Sequence, residues 1–329
     1  MTTDSLPGSR VTIVMYHYVR PIADSRWPRI KGLEVELFRE QLAYLKRHYV
    51  MIGMEDLLAS IAGDESLPPR ACLLTFDDSY SDHYRHVFPI LVKEGLSGAF
   101  YPPRATIRDR RLLDVNKIHF ILANASDPGR IEASLDEALR EMGGADEAGL
   151  GRLKAQYKVA DHLDSAEVVY IKHLLQYALA EDVRQEIVHR LFTAYVSADE
   201  TDFANELYMT EAEAGEMIEA GMHFGGHGDR HYWLSRLPND RKTVEVERSK
   251  ALLLDIGMAA DRLTFCYPYG DHDPPSERIL AQNGFRAAVT TRAAIADLAA
   301  DSPLTLPRLD TIDLPRDAGA SPNKWTLAA

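Results

Sequence analysis

The chain has few cysteines: its 329 residues contain two, Cys72 and Cys266. Both lie in apolar, strand-like runs, and free cysteine is among the residue types most often buried. A framework of disulfides is therefore excluded. We expect both cysteines to be reduced residues of the core.

Long apolar runs and an excess of basic charge are also missing. No stretch reaches the 18 apolar residues of a membrane span, and the N-terminal apolar segment, residues 11–16, is too short for a signal peptide. With 37 Lys and Arg against 50 Asp and Glu, the formal net charge is −13, which disfavours binding to nucleic acid or anionic lipid. We expect a cytoplasmic protein with no integral membrane span and no nucleic-acid partner.

Strand-like and helix-like segments alternate over the first hundred residues, and they alternate again after about residue 213. Strands separated by single helices indicate parallel βα units, so the predicted fold class is α/β. Between about 106 and 213 the chain is charged and helical throughout, which predicts an all-α insertion. We interpret residues 1–329 as one catalytic domain carrying this insertion, which could cap the substrate pocket or form a subunit interface in a homo-oligomer.

Two adjacent carboxylates, Asp77 and Asp78, end the apolar run ACLLTF. Ligands of α/β folds gather at the carboxyl ends of parallel strands, and successive residues of a strand point to opposite sides. One carboxylate could therefore bind a cation while the other acts as a base. The alternative is that both cap the following helix, since Asp is a favoured N-cap residue.

A second polar cluster, GGHGDRH, places His227 and His231 four residues apart after another apolar stretch. On a helical turn this spacing puts both imidazoles on one face, as two ligands of one metal require. Two surface histidines would give the same pattern. With one carboxylate of the Asp77–Asp78 pair as third ligand, the set is that of a hydrolytic zinc site with an open position for water.

A third stretch, FCYPYG, ends in a turn marked by Pro268 and Gly270. Such a turn could aim a backbone N–H, for instance that of Tyr269, at a developing oxyanion. A purely structural turn is the alternative.

Taken together, LLTFDDSYSDHY, GGHGDRHYWLSRL with the following EVERSKALLLDIG, and FCYPYG resemble the polysaccharide deacetylase family (carbohydrate esterase family 4, with the NodB homology domain). The order and spacing of the motifs match over roughly residues 11–105 and 214–310. The resemblance implies a distorted (β/α) barrel of about seven strands and hydrolysis of acetyl groups on sugars. It also implies that Asp77 is the base, that Asp78, His227 and His231 bind the metal, and that Tyr269 lends its backbone N–H to the oxyanion.

Three positions depart from the family pattern. Ser79 replaces the usual Gly, Cys266 replaces the Arg that orients the base in many members, and no histidine follows His272 to act as general acid. We expect Arg308, in LPRLD, to pair with Asp77 instead. We expect His17, in MYHYV, to protonate the leaving amine, with His272 as second candidate.

The predicted activity is therefore a metal-dependent hydrolase that removes an acetyl group from an N-acetylated sugar, carried by a polysaccharide, a nucleotide or a lipid. In this interpretation a metal-bound water attacks the amide carbonyl. Zn²⁺ is the favoured ion, with Co²⁺, Ni²⁺ or Fe²⁺ as alternatives. The alternative functions are hydrolysis of another amide, such as a cyclic ureide or formamide, and non-catalytic carbohydrate binding. The expected substrate contacts are Tyr80, Tyr267, Pro268 and His272.

Overall fold

The computed structural model describes residues 8–161 and 164–329. Internal contacts divide the chain into two units. Unit 1 contains residues up to Arg20, Gly32–Arg111 and Asn205–Ala329, and unit 2 contains Pro21–Lys31 and Leu112–Ala204. The helical segment expected at about 106–213 overlaps unit 2, whereas the contribution of Pro21–Lys31 was not apparent from the sequence.

Unit 1 contains all the strands of the described residues. They are β1 (Arg10–Tyr16), β2 (Val50–Met51), β3 (Ala71–Asp77), β4 (Ala99–Tyr101), β5 (His223–Phe224), β6 (Thr264–Cys266), β7 (Ala287–Val289), β8 (Ala296–Asp297) and β9 (Leu309–Asp310). Their pairing is parallel except for that of β8 with β1. The predicted α/β class with a parallel sheet is confirmed, and the antiparallel β8 was not anticipated.

The strand pairings can be followed from β1 back to β1. They run through β3, β4 and β5, pass by the Gly226–Phe265 bridge to β6 and β7, and return by the Val289–Leu306 bridge and β9. Seven parallel strands lie on this path, which is the pairing order expected of a distorted barrel. At Gly225 a Cβ atom would lie 2.4 Å from the Thr264 hydroxyl, so β5 and β6 approach too closely for any other residue there.

Side-chain alternation explains which residues of β3 face inward. Cys72, Leu74 and Phe76 join the large apolar cluster that includes the helices, whereas Ala71 and Leu73 join a second cluster built mostly from strand residues. Because side chains alternate along a strand, Asp77 lies on the side of Leu73. The carboxylate that ends the strand is therefore directed to the interior of the strand arrangement.

The helices of unit 1 pack on the face of the strands opposite to the one that Asp77 faces. They are α1 (Val35–His48), α2 (Met54–Ala62), α3 (Phe88–Lys93), α4 (Arg104–Arg108), α11 (Glu211–Glu219), α12 (Asn239–Asp255), α13 (Pro274–Gln282) and α14 (Lys324–Ala328). The single helix predicted after Asp78 begins instead as a π-helical turn, His83–Val87, in which the Phe88 N–H donates to the His83 carbonyl. Pro89 has no N–H for a regular helical bond, and such wide turns are frequent beside functional sites.

The helices of unit 2 are α5 (Asp114–Asn124), α6 (Pro128–Glu141), α7 (Glu147–Tyr157), α8 (Ala166–His173) and α9 (Glu181–Tyr195), and α10 (Glu200–Leu207) begins in unit 2 and ends in unit 1. Within unit 2, the buried Phe192 and Phe203 form an edge-to-face pair at 5.2 Å, and Trp27 contacts Phe120 and Phe203. These aromatic contacts explain why Pro21–Lys31 belongs to this unit. Among the described helices, none combines the length and apolar character that a membrane crossing requires.

Candidate active site

The two carboxylates at the end of β3 face different partners because the backbone turns between them. Asp77 is the last residue of the strand, whereas Asp78 and Ser79 have left-handed backbones, with φ of 74° and 55°. This conformation costs a residue other than glycine about 1–2 kcal/mol. Part of that cost is offset at Ser79, whose hydroxyl lies 2.6 Å from the Thr106 hydroxyl. Both carboxylates are nearly inaccessible, with 1% and 3% exposure.

Asp77 forms a bidentate ion pair with Arg308. The Nη1 and Nη2 groups of Arg308 donate to Oδ1 and Oδ2 of Asp77 at 2.9 and 2.7 Å. The guanidinium is itself fully buried and also donates to the Thr290 carbonyl and the Thr75 hydroxyl. The pair that the sequence predicts is therefore present, and the arginine is fixed on three sides.

This arrangement keeps Asp77 ionised. Burial alone would raise the pKa of the carboxyl, but the charge and hydrogen bonds of Arg308 outweigh burial and lower the pKa to about 2. The Cys266 thiol lies 3.5 Å from Oδ2 of Asp77 and 3.1 Å from Nη2 of Arg308. Cys266 is a reduced, buried residue as expected, and burial raises the pKa of its thiol, so it adds no negative charge beside Asp77.

One carboxylate oxygen of Asp78 faces the two histidines, and the other accepts a hydrogen bond. Its Oδ2 accepts a hydrogen bond of 2.7 Å from the Tyr80 hydroxyl. Its Oδ1 is buried and has no hydrogen-bond partner among the described residues. The expected substrate contact of Tyr80 is wrong, because this side chain is 0% exposed and orients Asp78.

The two histidines lie in a loop after β5, not on the helical turn that their spacing suggested. Gly228 and His231 have left-handed φ values of 74° and 60°, and these bends direct both imidazoles to Asp78. The Nδ1 atom of His227 lies 2.7 Å from the Cys266 carbonyl. Since a carbonyl only accepts, this nitrogen carries a proton in either protonation state, and Nε2 of His227 is the atom that faces Asp78.

The donor atoms of Asp78, His227 and His231 fit a divalent metal. The Nε2 atoms of the two histidines lie 3.6 and 3.5 Å from Oδ1 of Asp78, and all three atoms lie within 4.8 Å of one another. Ligands bound at about 2.0–2.2 Å around a tetrahedral zinc are about 3.3–3.6 Å apart. A buried oxygen without a hydrogen-bond partner among the described residues, facing two imidazole nitrogens at this spacing, fits such an ion.

The protonation of the two histidines differs. Burial lowers the pKa of His231 to about 3, which keeps its imidazole neutral and able to bind a metal. Burial also acts to lower the pKa of His227, but the neighbouring carboxylates of Asp78 and Asp77 outweigh burial and raise that pKa. A metal must therefore displace a proton at His227.

Charged side chains that the sequence did not single out hold the histidine loop in place. Glu245, on α12, accepts hydrogen bonds from the backbone N–H groups of Asp229 and Arg230 at 2.8 and 2.9 Å. The buried carboxylate of Asp229 pairs with Arg104 and Arg248 at 2.8 and 2.9 Å. The only signal in the sequence was the acidic residue inside GHGDRH, which is costly to bury without such partners.

His17 lies at the same place. It follows β1 directly, and its Nε2 atom is 3.9 Å from Oδ2 of Asp77, with 40% of the side chain exposed. It is thus beside the expected base and open to solvent. The second candidate, His272, instead contacts Glu277 at 3.0 Å and the ring of Tyr267.

The third motif forms a turn at the end of β6. Tyr269 has a left-handed φ of 58°, its ring packs against His231 at 4.6 Å, and it stacks on Trp233 at 4.3 Å. Tyr267 and Pro268 are buried, and Tyr267 lies in the large apolar cluster at 0% exposure. The expected substrate contacts of these two residues are therefore wrong, since their side chains are packed in the protein interior.

Comparison with known proteins agrees with this geometry. The family described as polysaccharide deacetylase matches residues 188–288. The chain is 31% identical over 86 residues to the poly-beta-1,6-N-acetyl-D-glucosamine N-deacetylase of Escherichia coli K12, which corresponds to 26% of this chain and 12% of that enzyme. Residues 188–288, which include His227 and His231, are thus similar to the polysaccharide deacetylase family.

Solved structures share the fold of this chain over almost its whole length. The Streptococcus pyogenes deacetylase PplD, in complex with acetate, aligns with a TM-score of 0.54 and 19% identity over 93% of both chains. IcaB from Ammonifex degensii aligns with a TM-score of 0.54 and 20% identity, over 93% of this chain and 94% of that one. At this identity the likeness concerns the fold alone.

Proposed function

We propose that the protein is a metal-dependent N-deacetylase of an N-acetylated sugar. The observation that carries the proposal is that two adjacent carboxylates have different partners. Asp78 faces two imidazole nitrogens with an oxygen that has no other partner among the described residues, while both oxygens of Asp77 accept hydrogen bonds from Arg308. A cation ligand and a separate, ionised base are what hydrolysis of an amide needs.

In this mechanism Asp78, His227 and His231 hold a divalent ion, for which Zn²⁺ is the favoured candidate. When bound, the ion supplies a Lewis acid that polarises the acetyl carbonyl and lowers the pKa of a water molecule. Tyr80 keeps Asp78 oriented by its hydrogen bond to Oδ2. Such outer partners of a ligand typically contribute about 10–100-fold to metal affinity.

The protein's own groups move the protons. Asp77 accepts a proton from the attacking water, whose oxygen bonds to the acetyl carbon. His17, beside Asp77, donates a proton to the amide nitrogen as the carbon–nitrogen bond breaks, which yields a free amine and acetate. The backbone N–H of Tyr269 donates to the developing oxyanion. The contact of the Tyr269 ring with His231 supports this last role, because it keeps the turn next to the metal ligands.

The experiment measures acetate released from three N-acetylated substrates: β-1,6-linked N-acetylglucosamine oligomers, chitooligosaccharides and an N-acetylated sugar nucleotide. We expect release from at least one of them, loss of release on chelation, and recovery with zinc. Asp77→Asn should lower turnover by at least about 100-fold, the lower range of general-base catalysis, with unchanged metal content. No release from any N-acetylated sugar, or full activity of Asp77→Asn, would contradict the proposal.

A further inference from the structure

The segment that follows β1, residues 17–20, is attached to the segment that follows Asp78, residues 80–83, by three side-chain contacts. Arg20 forms a bidentate pair with Asp82, at 2.7 and 2.9 Å. The rings of Tyr18 and Tyr80 stack at 4.0 Å. A nitrogen of His83 lies 2.8 Å from the backbone carbonyl of His17. We call this set of contacts the β1–β3 clamp.

His83 is the innermost part of the clamp. It is 0% exposed, and its ring packs between Phe76, Tyr80 and Phe100 at 5.5–5.8 Å. Because a carbonyl can only accept, Nε2 of His83 carries the proton, and Nδ1 has no hydrogen-bond partner in the described part of the chain. The imidazole is therefore a neutral donor of fixed orientation, and its donor is directed at the main chain of His17.

The outer part of the clamp is the Arg20–Asp82 pair. Asp82 is 4% exposed, and the guanidinium of Arg20 also lies 5.5 Å from the ring centre of Tyr18. Bidentate pairs between Arg and a carboxylate fix geometry as well as distance. Because Tyr18 stacks on Tyr80, whose hydroxyl binds Asp78, the clamp is continuous with the carboxylate of the proposed metal site.

The imidazole of His17 depends on these contacts for its position. Within residues 8–161 and 164–329, it makes no hydrogen bond to another side chain, and its nearest charged neighbour is Asp77 at 3.9 Å. Its location is therefore set by its own main chain. Proton transfer needs heavy atoms within about 2.6–3.2 Å, and a misplacement of about 1 Å can lower a rate by about 100-fold.

We propose that His83 and the Arg20–Asp82 pair are positioning residues that hold the main chain of His17 where its imidazole can protonate the leaving amine. The inference rests on the proposed deacetylase function and on His17 as general acid. Asp82 and His83 follow the proposed base, Asp77, and the proposed metal ligand, Asp78, in the chain. The inference gives them a role in positioning the acid, His17. The clamp residues themselves do not contact the substrate.

The test compares two acetyl donors that differ in their need for an acid. An N-acetylated sugar loses an amine, which must be protonated as it leaves, whereas 4-nitrophenyl acetate loses a stable phenolate and needs no proton. We expect His17→Ala to lower amide turnover by at least about 100-fold, within the usual range for an acid catalyst, and ester turnover by less than about threefold. His83→Leu and Arg20→Met should show the same pattern, with amide turnover lowered about tenfold or more.

Two further variants separate positioning from damage to the fold. His83→Gln keeps an N–H donor at a similar reach and should recover most of the amide turnover. His223 is the matched control, since it is also a buried histidine that contacts one oxygen, the Thr264 hydroxyl at 2.8 Å. His223→Leu should leave the ratio of amide to ester turnover unchanged, even where it lowers the melting temperature.

The outcomes are distinguishable. Equal losses of amide and ester turnover in His83→Leu and Arg20→Met, or no loss in either, would overturn the positioning role while leaving the deacetylase function intact. A normal ratio in His17→Ala would remove the acid on which the inference depends, and the inference with it. No amide turnover in the unmodified protein would refute the proposed function and this inference together.

Discussion

Replacing Arg308 with Met tests how Asp77 is kept ionised and aimed. The variant removes both hydrogen bonds to the Asp77 carboxylate and leaves its burial unopposed, so the pKa of Asp77 rises from about 2. Metal content should be unchanged, because the Arg308 side chain contacts Asp77, Thr75, Thr290 and Cys266 and none of the three proposed ligands. We expect a loss of turnover that metal content does not explain.

The size of the effect follows from the two hydrogen bonds. Each bond to a charged group contributes about 1.5–3 kcal/mol, and one pKa unit corresponds to about 1.4 kcal/mol. Losing both should raise the pKa of Asp77 by about 2–4 units, to about 4–6. At neutral pH the Asp77 carboxylate is then still largely ionised, but nothing fixes its orientation. Turnover should therefore fall by about 100-fold or more. The acidic limb of the pH–rate profile should move upward to the new pKa.

Arg308→Met should also lower the free energy of unfolding, by an amount that depends on pH. In the unmodified protein the pKa of Asp77 is depressed, so its stabilisation is present above the ordinary pKa of an Asp and is lost as pH falls through about 2. In Arg308→Met the pKa lies above the ordinary value, so the carboxylate destabilises the fold at neutral pH. We expect a deficit of about 3–5 kcal/mol near pH 7, which shrinks as pH falls toward 4.

The assay is the pH–rate profile of acetate release, with metal analysis and thermal unfolding of the same samples. Arg292→Met is the control, since Arg292 pairs with Asp301 and is largely exposed. Arg308→Lys keeps the charge without the bidentate geometry and should be intermediate. If Arg308 acts through Asp77, adding Arg308→Met to Asp77→Asn should cause little further loss. An unmoved acidic limb with a raised KM alone would mean that Arg308 binds substrate, and the reasoning about Asp77 would be wrong.

Three further predictions concern the metal ligands. His231→Ala should lose most of the bound metal by elemental analysis, whereas His189→Ala, at an exposed position on α9, should retain it; equal content in both would remove His231 from the ligand set. Because the pKa of His227 is raised, metal affinity measured by titration should weaken by up to tenfold per pH unit below that pKa, and a flat profile would contradict the proton displacement. Tyr80→Phe, which removes the hydrogen bond to Asp78, should weaken metal binding by about 10–100-fold; unchanged affinity would refute the orienting role of Tyr80.

Short-range pattern in the sequence was sufficient for the fold class, and the family resemblance supplied the roles of the residues expected at the site. The apolar run before Asp77 predicted a buried strand with a ligand site at its end, and His17 was expected to act as the acid because no histidine follows His272. Arg308 was predicted from its type and its place in the last strand-like stretch. The cytoplasmic location and the homo-oligomer remain predictions.

The direction of side chains at the site could not be predicted in the same way. Tyr80 and Tyr267 were expected to face substrate, but whether a tyrosine near a strand end faces a pocket or the core depends on packing against distant segments. The helical geometry inferred for His227 and His231 was wrong for a related reason, since a spacing of four also fits a loop bent at Gly228. The supporting role of Glu245 depends on a contact across 15 residues, which no local pattern indicates.

The left-handed backbones at the site have a consequence for any attempt to make this protein more heat-resistant. Asp78, Ser79, His231 and Tyr269 each adopt a conformation that only glycine enters without strain. Glycine at any of these positions would relieve about 1 kcal/mol locally, and at Asp78 or His231 it would also remove a buried group. A selection that rewards survival of heating alone is therefore expected to accumulate changes at the proposed metal ligands Asp78 and His231. Stability and activity are opposed at this site, so engineering of the chain requires that both be measured in every round.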